Sequence, residues 1–271
     1  MKLIRFGPPG REKPGLQLED GTRLDASSAV ADYDEDFLGQ DPHARLSAWL
    51  AKQGPRAPRV PPDARLGAPI RRPSKIVCIG LNFKDHAAES GMELPKEPVI
   101  FFKATSSLVG PNDPLVMPRN GTKVDWEVEL AVVIGKTGVN VPRSDAIACV
   151  AGYAIGLDIT IRGTEERSLR KSPDSYAVLG PWLVTADEIA NPGNLDLRIS
   201  VNGEERQNSN TRYLILGVPE LIEYASSFYT LYPGDVIITG TPEGVSPIQP
   251  GDVISAHVEQ IGTMDVKVRA A

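Results

Sequence analysis

Apolar residues beyond the first quarter of this chain fall in short runs bounded by Gly, Pro, Asn and Asp, which is the pattern of strands. Such runs occupy 75–81, 98–103, 125–136, 150–160, 182–185, 195–201, 235–239, 253–258 and 264–268. They are rich in β-branched and bulky apolar side chains. Asn202-Gly203 reads as a two-residue hairpin turn. Nearer the start, 2–6 reads as a strand, and 15–20 with 22–25 as a hairpin about Asp20-Gly21. Helices are few. A short one is expected at 44–52, and Thr185-Ala186-Asp187-Glu188 has the spacing of a capping box. The best helix is 219–231, with Pro219 in its first turn and Leu221, Ile222, Tyr224, Ala225 and Phe228 forming an apolar stripe. Residues 53–74 are rich in Pro and Arg, with Val60, Leu66 and Ile70 as their large apolar residues. They read as an extended linker that divides the chain into a small N-terminal domain, 1–72, and a larger one, 73–271. The class is mixed α/β, mainly β. The strands exceed what one flat sheet holds, which predicts a sandwich or a partly closed barrel-like roll.

The bulk chemistry excludes several classes. Net charge is −6, with acids and bases interspersed. That leaves no basic footprint for nucleic acid and no polybasic patch for a membrane. No apolar run approaches the roughly 20 residues a membrane helix needs. The opening Met-Lys-Leu-Ile-Arg-Phe runs straight into Gly-Pro-Pro-Gly, unlike a signal peptide. Cys78 and Cys149 each sit in an apolar stretch and read as two buried free thiols rather than one disulfide, so the cytoplasm is the expected compartment. An anionic substrate has to be caught by local positive charge, because the overall field repels it.

Candidate chemistry starts at Glu127 and Glu129, inside the apolar run Asp125-Trp126-Glu127-Val128-Glu129-Leu130-Ala131-Val132-Val133-Ile134-Gly135. On a strand, residues two apart share a face, so both carboxylates converge while Trp126, Val128 and Leu130 point the other way. Two like charges in so apolar a run need a positive charge between them, and a hard divalent cation supplies it. Asp158 ends a second buried-looking run and completes a three-carboxylate set, which suits Mg2+ or Mn2+ better than Zn2+. His86 and Glu89 stand three apart, on one face of a helical turn, as a general base and its orienting carboxylate require. Gly91 and the Pro95/Pro98 stretch after them suggest a lid. Lys103, Arg162 and Lys171 are the cations available to an anionic substrate. No G-x-S-x-G, H-E-x-x-H, P-loop or G-x-G-x-x-G motif is present.

Taken together these stretches resemble the fumarylacetoacetate hydrolase family. The resemblance runs, in order, through Gly80-Leu81-Asn82-Phe83 with His86 and Glu89, and the 125–135 run. It continues through Gly152-Tyr153 with Asp158, Lys171-Ser172 with Gly180-Pro181-Trp182, and Val201-Asn202-Gly203-Glu204 with Arg206-Gln207. It ends at Thr239-Gly240-Thr241-Pro242-Glu243-Gly244-Val245, covering roughly 75–268. It implies a β-sandwich roll, a Mg2+ or Mn2+ site and a homodimer. By the same resemblance Glu127, Glu129 and Asp158 match the metal ligands, and His86 and Glu89 the dyad on the lid. Lys171 matches the lysine that stabilises developing negative charge. Arg162 and Thr241 match substrate-contacting positions, and Ser175 falls at a position that often lines the site. The first 70 residues look like the small extra domain of members that process 2,4-dioxo-3-deoxy sugar acids. One departure stands out: Glu165 occupies the place of a glutamine found in several hydrolases of the family. It repels a substrate carboxylate unless it turns away or pairs with Arg162 or Arg167.

The expected reaction is hydrolysis of a carbon–carbon bond in a small 2-oxo or 2,4-dioxo acid, with the cation as Lewis acid, His86 as general base held by Glu89, and Lys171 at the oxyanion. Decarboxylation or isomerisation of a 2-oxo or 2-hydroxydienoic diacid uses the same enolate and stays open. So does a non-catalytic protein that binds a metal and a sugar acid.

Overall fold

The computed structural model describes residues 1–89, 97–119 and 123–271. The expected lid residues Gly91 and Pro95 lie outside the described residues. In chain order the elements are β1 (Lys2–Phe6), β2 (Lys13–Gln17), β3 (Arg23–Asp25), α1 (Glu35–Leu38), α2 (Pro42–Gln53), β4 (Ile76–Gly80) and α3 (Lys84–Glu89). There follow β5 (Val99–Lys103), β6 (Leu108–Val109), β7 (Leu115–Val116), β8 (Val124–Asp125), β9 (Val128–Ile134), β10 (Val150–Asp158), β11 (Thr160–Ile161) and α4 (Arg167–Lys171). The chain closes with β12 (Ala177–Thr185), β13 (Asp196–Val201), β14 (Glu204–Asn210), α5 (Val218–Phe228), β15 (Val236–Ile238), β16 (Val253–Val258) and β17 (Gly262–Arg269). Strands outweigh helices, as the runs of apolar residues predict.

The main sheet runs β3-β2-β1-β12-β10-β9-β15-β4-β5, with β6 beside β12, and a five-stranded sheet runs β14-β13-β16-β17-β7. Period-two alternation sorts the main sheet's side chains into two cores. On β9, Val128, Leu130, Val132 and Ile134 face one core, shared with Leu197 and Ile199 of β13, Ile254 and Ala256 of β16, Val266 of β17 and Leu221 and Ile222 of α5. Ala131 and Val133 face the other, shared with Leu3, Leu16, Tyr33, Phe37, Leu46 and Trp49 of the N-terminal segment. The protein is thus a sandwich of two sheets with the N-terminal segment packed on the outer face of the larger one. Burying this much apolar surface supplies the main stabilising term.

Three local expectations differ from what forms. The 53–74 segment is extended, but it is stitched down: Val60, Leu66 and Ile70 are buried. Its backbone pairs with β1 and β3 through Gly67 N to Arg5 O and Val60 N to Arg23 O, both 2.9 Å. The three apolar residues among the prolines supply that anchoring. The capping-box spacing at 185–188 yields one 3-10 turn, Ala186–Glu188, without a side-chain cap. Thr185 instead closes β12, and its hydroxyl meets the chain's first amino group. Cys149 is partly exposed, whereas Cys78 is buried, and both are free thiols. The Asn202-Gly203 turn forms as read, with φ of 53° and 84°, the left-handed pair that a tight hairpin needs.

The runs 125–136 and 150–160 each break near one end. Asp158 N donates to Glu127 O at 3.0 Å, and beyond that bond both strands leave the main sheet. They re-pair as the short β8–β11 ladder, Thr160 opposite Asp125. Glu127, Glu129 and Asp158 lie where the two strands part.

Candidate metal centre

Glu127, Glu129 and Asp158 are 5%, 2% and 1% exposed, and one oxygen of each lies within 4.8 Å of the others. Alternation places Glu127 and Glu129 on the face that carries Ala131 and Val133, while the antiparallel neighbour β10 delivers Asp158. Cations surround the set. Lys171 Nζ donates to Glu127 Oε2 at 2.9 Å, Asp158 Oδ2 at 2.7 Å and Thr160 Oγ1 at 2.7 Å. Lys103 Nζ contacts Asp158 Oδ1 and donates to Ile159 O at 3.2 Å. Arg162 donates from Nε to Asp125 Oδ2 at 2.6 Å and from Nη2 to Glu127 Oε1 at 2.9 Å.

These contacts divide the carboxylates. Burial alone pushes Asp158 up, but Lys103 and Lys171 outweigh it and hold the carboxyl below its usual range. Burial pulls Lys171 down, but Asp158 and then Glu127 outweigh it and keep the ammonium charged well past its usual range. Glu129 has no cationic side chain against it among the described residues; its one protein donor is the Gly240 amide, at Oε2. Burial, then Asp158 and Glu127, push its carboxyl well above the ordinary value. A buried carboxylate lacking a cation, beside two more, is an incomplete charge arrangement. Three oxygen donors that close together, with one negative charge uncompensated, fit a hard divalent cation.

The carboxylates open into a cavity of about 120 Å³, lined also by Ile79, His86, Phe101, Arg162, Lys171 and Thr241. His86 Nδ1 lies 3.4 Å from Glu89 Oε2 on α3, and Glu89 is held by the Gly244 amide at 3.1 Å from both oxygens. Thr241 Oγ1 donates to Val128 O at 2.9 Å and accepts from Gln207 Nε2 at 3.0 Å. The structure does not bring all the sequence candidates to the cavity. Lys103 lies behind Asp158, fully enclosed. Ser175 is buried elsewhere and accepts from Val116 N at 2.9 Å. Glu165 is exposed and pairs with neither Arg162 nor Arg167; its backbone carbonyl accepts from Arg170 Nε at 2.7 Å.

Asp125, Thr160 and Gln207 are working parts of the centre that were not among the candidate residues. Asp125 had a signal: it continues the alternation of Glu127 and Glu129 two residues upstream. Thr160 Oγ1 lies 3.1 Å from Glu127 Oε1, and Gln207 bridges Val128 N to Thr241 and Pro242 O. Contacts between distant strands are invisible in local pattern. A larger cavity, about 590 Å³, lies between the N-terminal segment and β6. Arg5 there is bound by Asp32, and Arg65 by Asp113 and Glu12, which makes these arginines structural ties.

Residues 75–269 match the family described as fumarylacetoacetate (FAA) hydrolase C-terminal. The chain is 46% identical to maleylpyruvate hydrolase of Aquipseudomonas alcaligenes, covering 100% of both. It is 42% identical to 2,4-didehydro-3-deoxy-L-rhamnonate hydrolase of a Sphingomonas species, covering 99% of this chain and 96% of that one. A crystal structure of maleylpyruvate hydrolase from a Sphingobium species, in complex with manganese(II) and pyruvate, superposes with a TM-score of 0.84 at 36% identity over 100% of both chains. With the acidic triad in place at the parting of β9 and β10, the chain belongs to the fumarylacetoacetate hydrolase family.

Proposed function

We propose that this chain is a divalent-metal-dependent hydrolase that cleaves the carbon–carbon bond of an acylpyruvate-type 2,4-dioxo acid. One observation carries the reading: a buried triad in which Glu129 makes no ion pair among the described residues, in a chain similar end to end to maleylpyruvate hydrolase. Glu127, Glu129 and Asp158 are the residues that hold Mg2+ or Mn2+. When bound, the ion supplies Lewis-acid polarisation of the substrate's oxygens.

The chain's own residues supply the rest. Glu89, pinned by the Gly244 amide, accepts from His86 Nδ1 and leaves Nε2 to take a proton from water. The hydroxide adds to the distal carbonyl carbon, the bond to the pyruvate portion breaks, and its electrons pass to the pyruvate enolate. The imidazolium returns its proton to the terminal CH2 carbon of that enolate, giving pyruvate and a free acid. Lys171 stays protonated with its three N–H groups held by Glu127, Asp158 and Thr160, and its charge favours the oxyanion that forms beside it. Lys103 stabilises Asp158 as an anion from behind. Thr241, its hydroxyl fixed between Val128 O and Gln207, shapes the cavity wall.

The division at residue 72 belongs to the same reading and is supported by the family match starting at residue 75. A homodimer is supported by an exposed apolar patch beside α5. Val139 and Phe228 are 57% and 63% exposed, and Asn140 N bonds Ser226 O at the same place. Two free thiols support a cytoplasmic setting, and no helix among the described residues is long and apolar enough to cross a membrane.

The test is a Mn2+-supplemented screen of 2,4-dioxo acids with product identification. Pyruvate plus a carboxylic acid is the expected outcome. Carbon dioxide points to decarboxylation, a tautomer alone to isomerisation, and tight Mn2+ binding without turnover to a binding protein. H86A is expected to bind Mn2+ as wild type does and to lose at least about 100-fold in kcat. Equal turnover by H86A removes the general-base role.

A further inference from the structure

Four cationic side chains from one stretch, Arg162, Arg167, Arg170 and Lys171, line the cavity that holds the triad. Two are neutralised in place: Arg162 by Asp125 and Glu127, Lys171 by Glu127 and Asp158. The other two keep their charge. Arg170 spends its guanidinium on backbone, donating from Nε to Glu165 O at 2.7 Å and from Nη1 to Ile161 O at 3.0 Å. Carbonyl bonds fix its position without cancelling the charge. Arg167 makes no ion pair among the described residues; its guanidinium carbon rests 5.9 Å from the centre of the Phe101 ring. Phe101 itself lines the cavity and also carries Lys171 Nζ at 5.1 Å. An aromatic face holds a guanidinium by its quadrupole and leaves the N–H fork free. The acids next in sequence do not quench this charge. Glu165 is exposed, and Glu166 caps α4 by accepting from Ser168 N at 2.7 Å.

The cavity lining therefore combines a carboxylate set for a divalent cation with unspent positive charge on Arg167 and Arg170. A substrate that binds the cation through its 2-oxo acid portion leaves its acyl end for the rest of that lining, which includes both arginines. We propose that Arg167, with Arg170 adding to the field, reads a second carboxylate at the acyl end of the substrate. The chain then prefers acylpyruvates with an anionic acyl terminus over those with a neutral or hydroxylated one. Arg167 is the reader and Arg170 the supporting charge, because reorienting Arg170 gives up two backbone bonds. A guanidinium fork matches a carboxylate bidentately, which sets both charge and orientation. The local charge also answers how a chain of net charge −6 gathers a dianion. This inference rests on the acylpyruvate reading above.

The experiment compares kcat/KM of the Mn2+-loaded protein for an acylpyruvate ending in a carboxylate and for acetylpyruvate, in wild type, R167Q and R167K. Wild type is expected to favour the carboxylate-terminated substrate. R167Q is expected to reduce that preference about 10- to 100-fold, chiefly through KM of the carboxylate-terminated substrate. R167K is expected to recover part of it. An unchanged preference ratio in R167Q overturns the assignment of Arg167, as does a wild-type preference for acetylpyruvate. If R167Q does not fold, the wild-type salt dependence decides: KM for the carboxylate-terminated substrate is expected to rise more steeply with ionic strength than KM for acetylpyruvate, and parallel curves overturn the proposal. Wild type that cleaves neither substrate overturns the acylpyruvate reading itself, an outcome distinct from cleavage of both with an unmoved ratio.

Discussion

Glu129 is the residue on which the metal centre turns. Its neighbours Glu127 and Asp158 have ammonium or guanidinium partners, while Glu129 is bonded, among the described residues, by the Gly240 amide and makes no ion pair, and burial with Asp158 and Glu127 outweighs the field of Lys171. The folded carboxyl therefore holds its proton to higher pH than the unfolded one, whose ordinary value is 4.5. Ionising it costs folding stability in the metal-free chain. The cost is fully present above the folded value and fades as pH falls toward 4.5. Glutamine keeps the shape and a carbonyl for the Gly240 amide but removes the charge. Metal-free E129Q is expected to melt higher than wild type at pH 8, with the gap closing toward pH 4.5. Its Mn2+ affinity is expected to be at least about tenfold weaker by calorimetry. Wild type melting above E129Q at pH 8 without metal sinks this account. Much at this scale was legible in sequence, because the alternation of Glu127 and Glu129 inside an apolar run is a local signal. The burial of Lys103 behind Asp158 was not, since only the curl of the sheet brings β5 to the end of β10.

At the scale of elements, the loop after β15 holds two parts of the centre. Gly240 donates its amide to Glu129, and Gly244 donates to Glu89. Gly240 has φ of 102°, and an added Cβ would lie 2.8 Å from the Asn82 Cβ. Asn82 cannot yield easily, because it bonds Leu216 O and N and Thr239 O. G240A is expected to cost about 1–3 kcal/mol of stability in denaturant titration and to weaken Mn2+ binding by displacing the amide from Glu129. Unchanged Mn2+ affinity in G240A removes this loop from the account. Strand and helix identities were largely readable from period and punctuation; α5 forms at Val218–Phe228 close to the expected 219–231. The breaks in the 125–136 and 150–160 runs were not readable. They arise because Thr160 and Asp125 find each other as a second ladder, a pairing between segments far apart in the chain.

At the scale of the whole molecule, two apolar cores flank one sheet, and the charged centre sits at the edge where β9 and β10 part from it. A ligand that binds only the folded arrangement of three carboxylates stabilises the entire cooperative unit. At free Mn2+ about 100-fold above Kd the folded state gains about 2.7 kcal/mol, which is expected to raise Tm by about 5 °C or more. EDTA is expected to reverse the shift in wild type, and E129Q is expected to show little of it. A Tm indifferent to Mn2+ in wild type argues against a shared coordination sphere. The amino-acid order alone determined which segments become strands, which faces are apolar, and which carboxylates share a strand face, because these follow from periods of two and 3.6 residues. Only the tertiary structure decided which cations neutralise which acids, that Glu129 and Arg167 make no ion pair among the described residues, and that Arg167 rests on Phe101. Those outcomes depend on distances between residues tens of positions apart, and burial in a common low-dielectric interior is what turns such distances into energies.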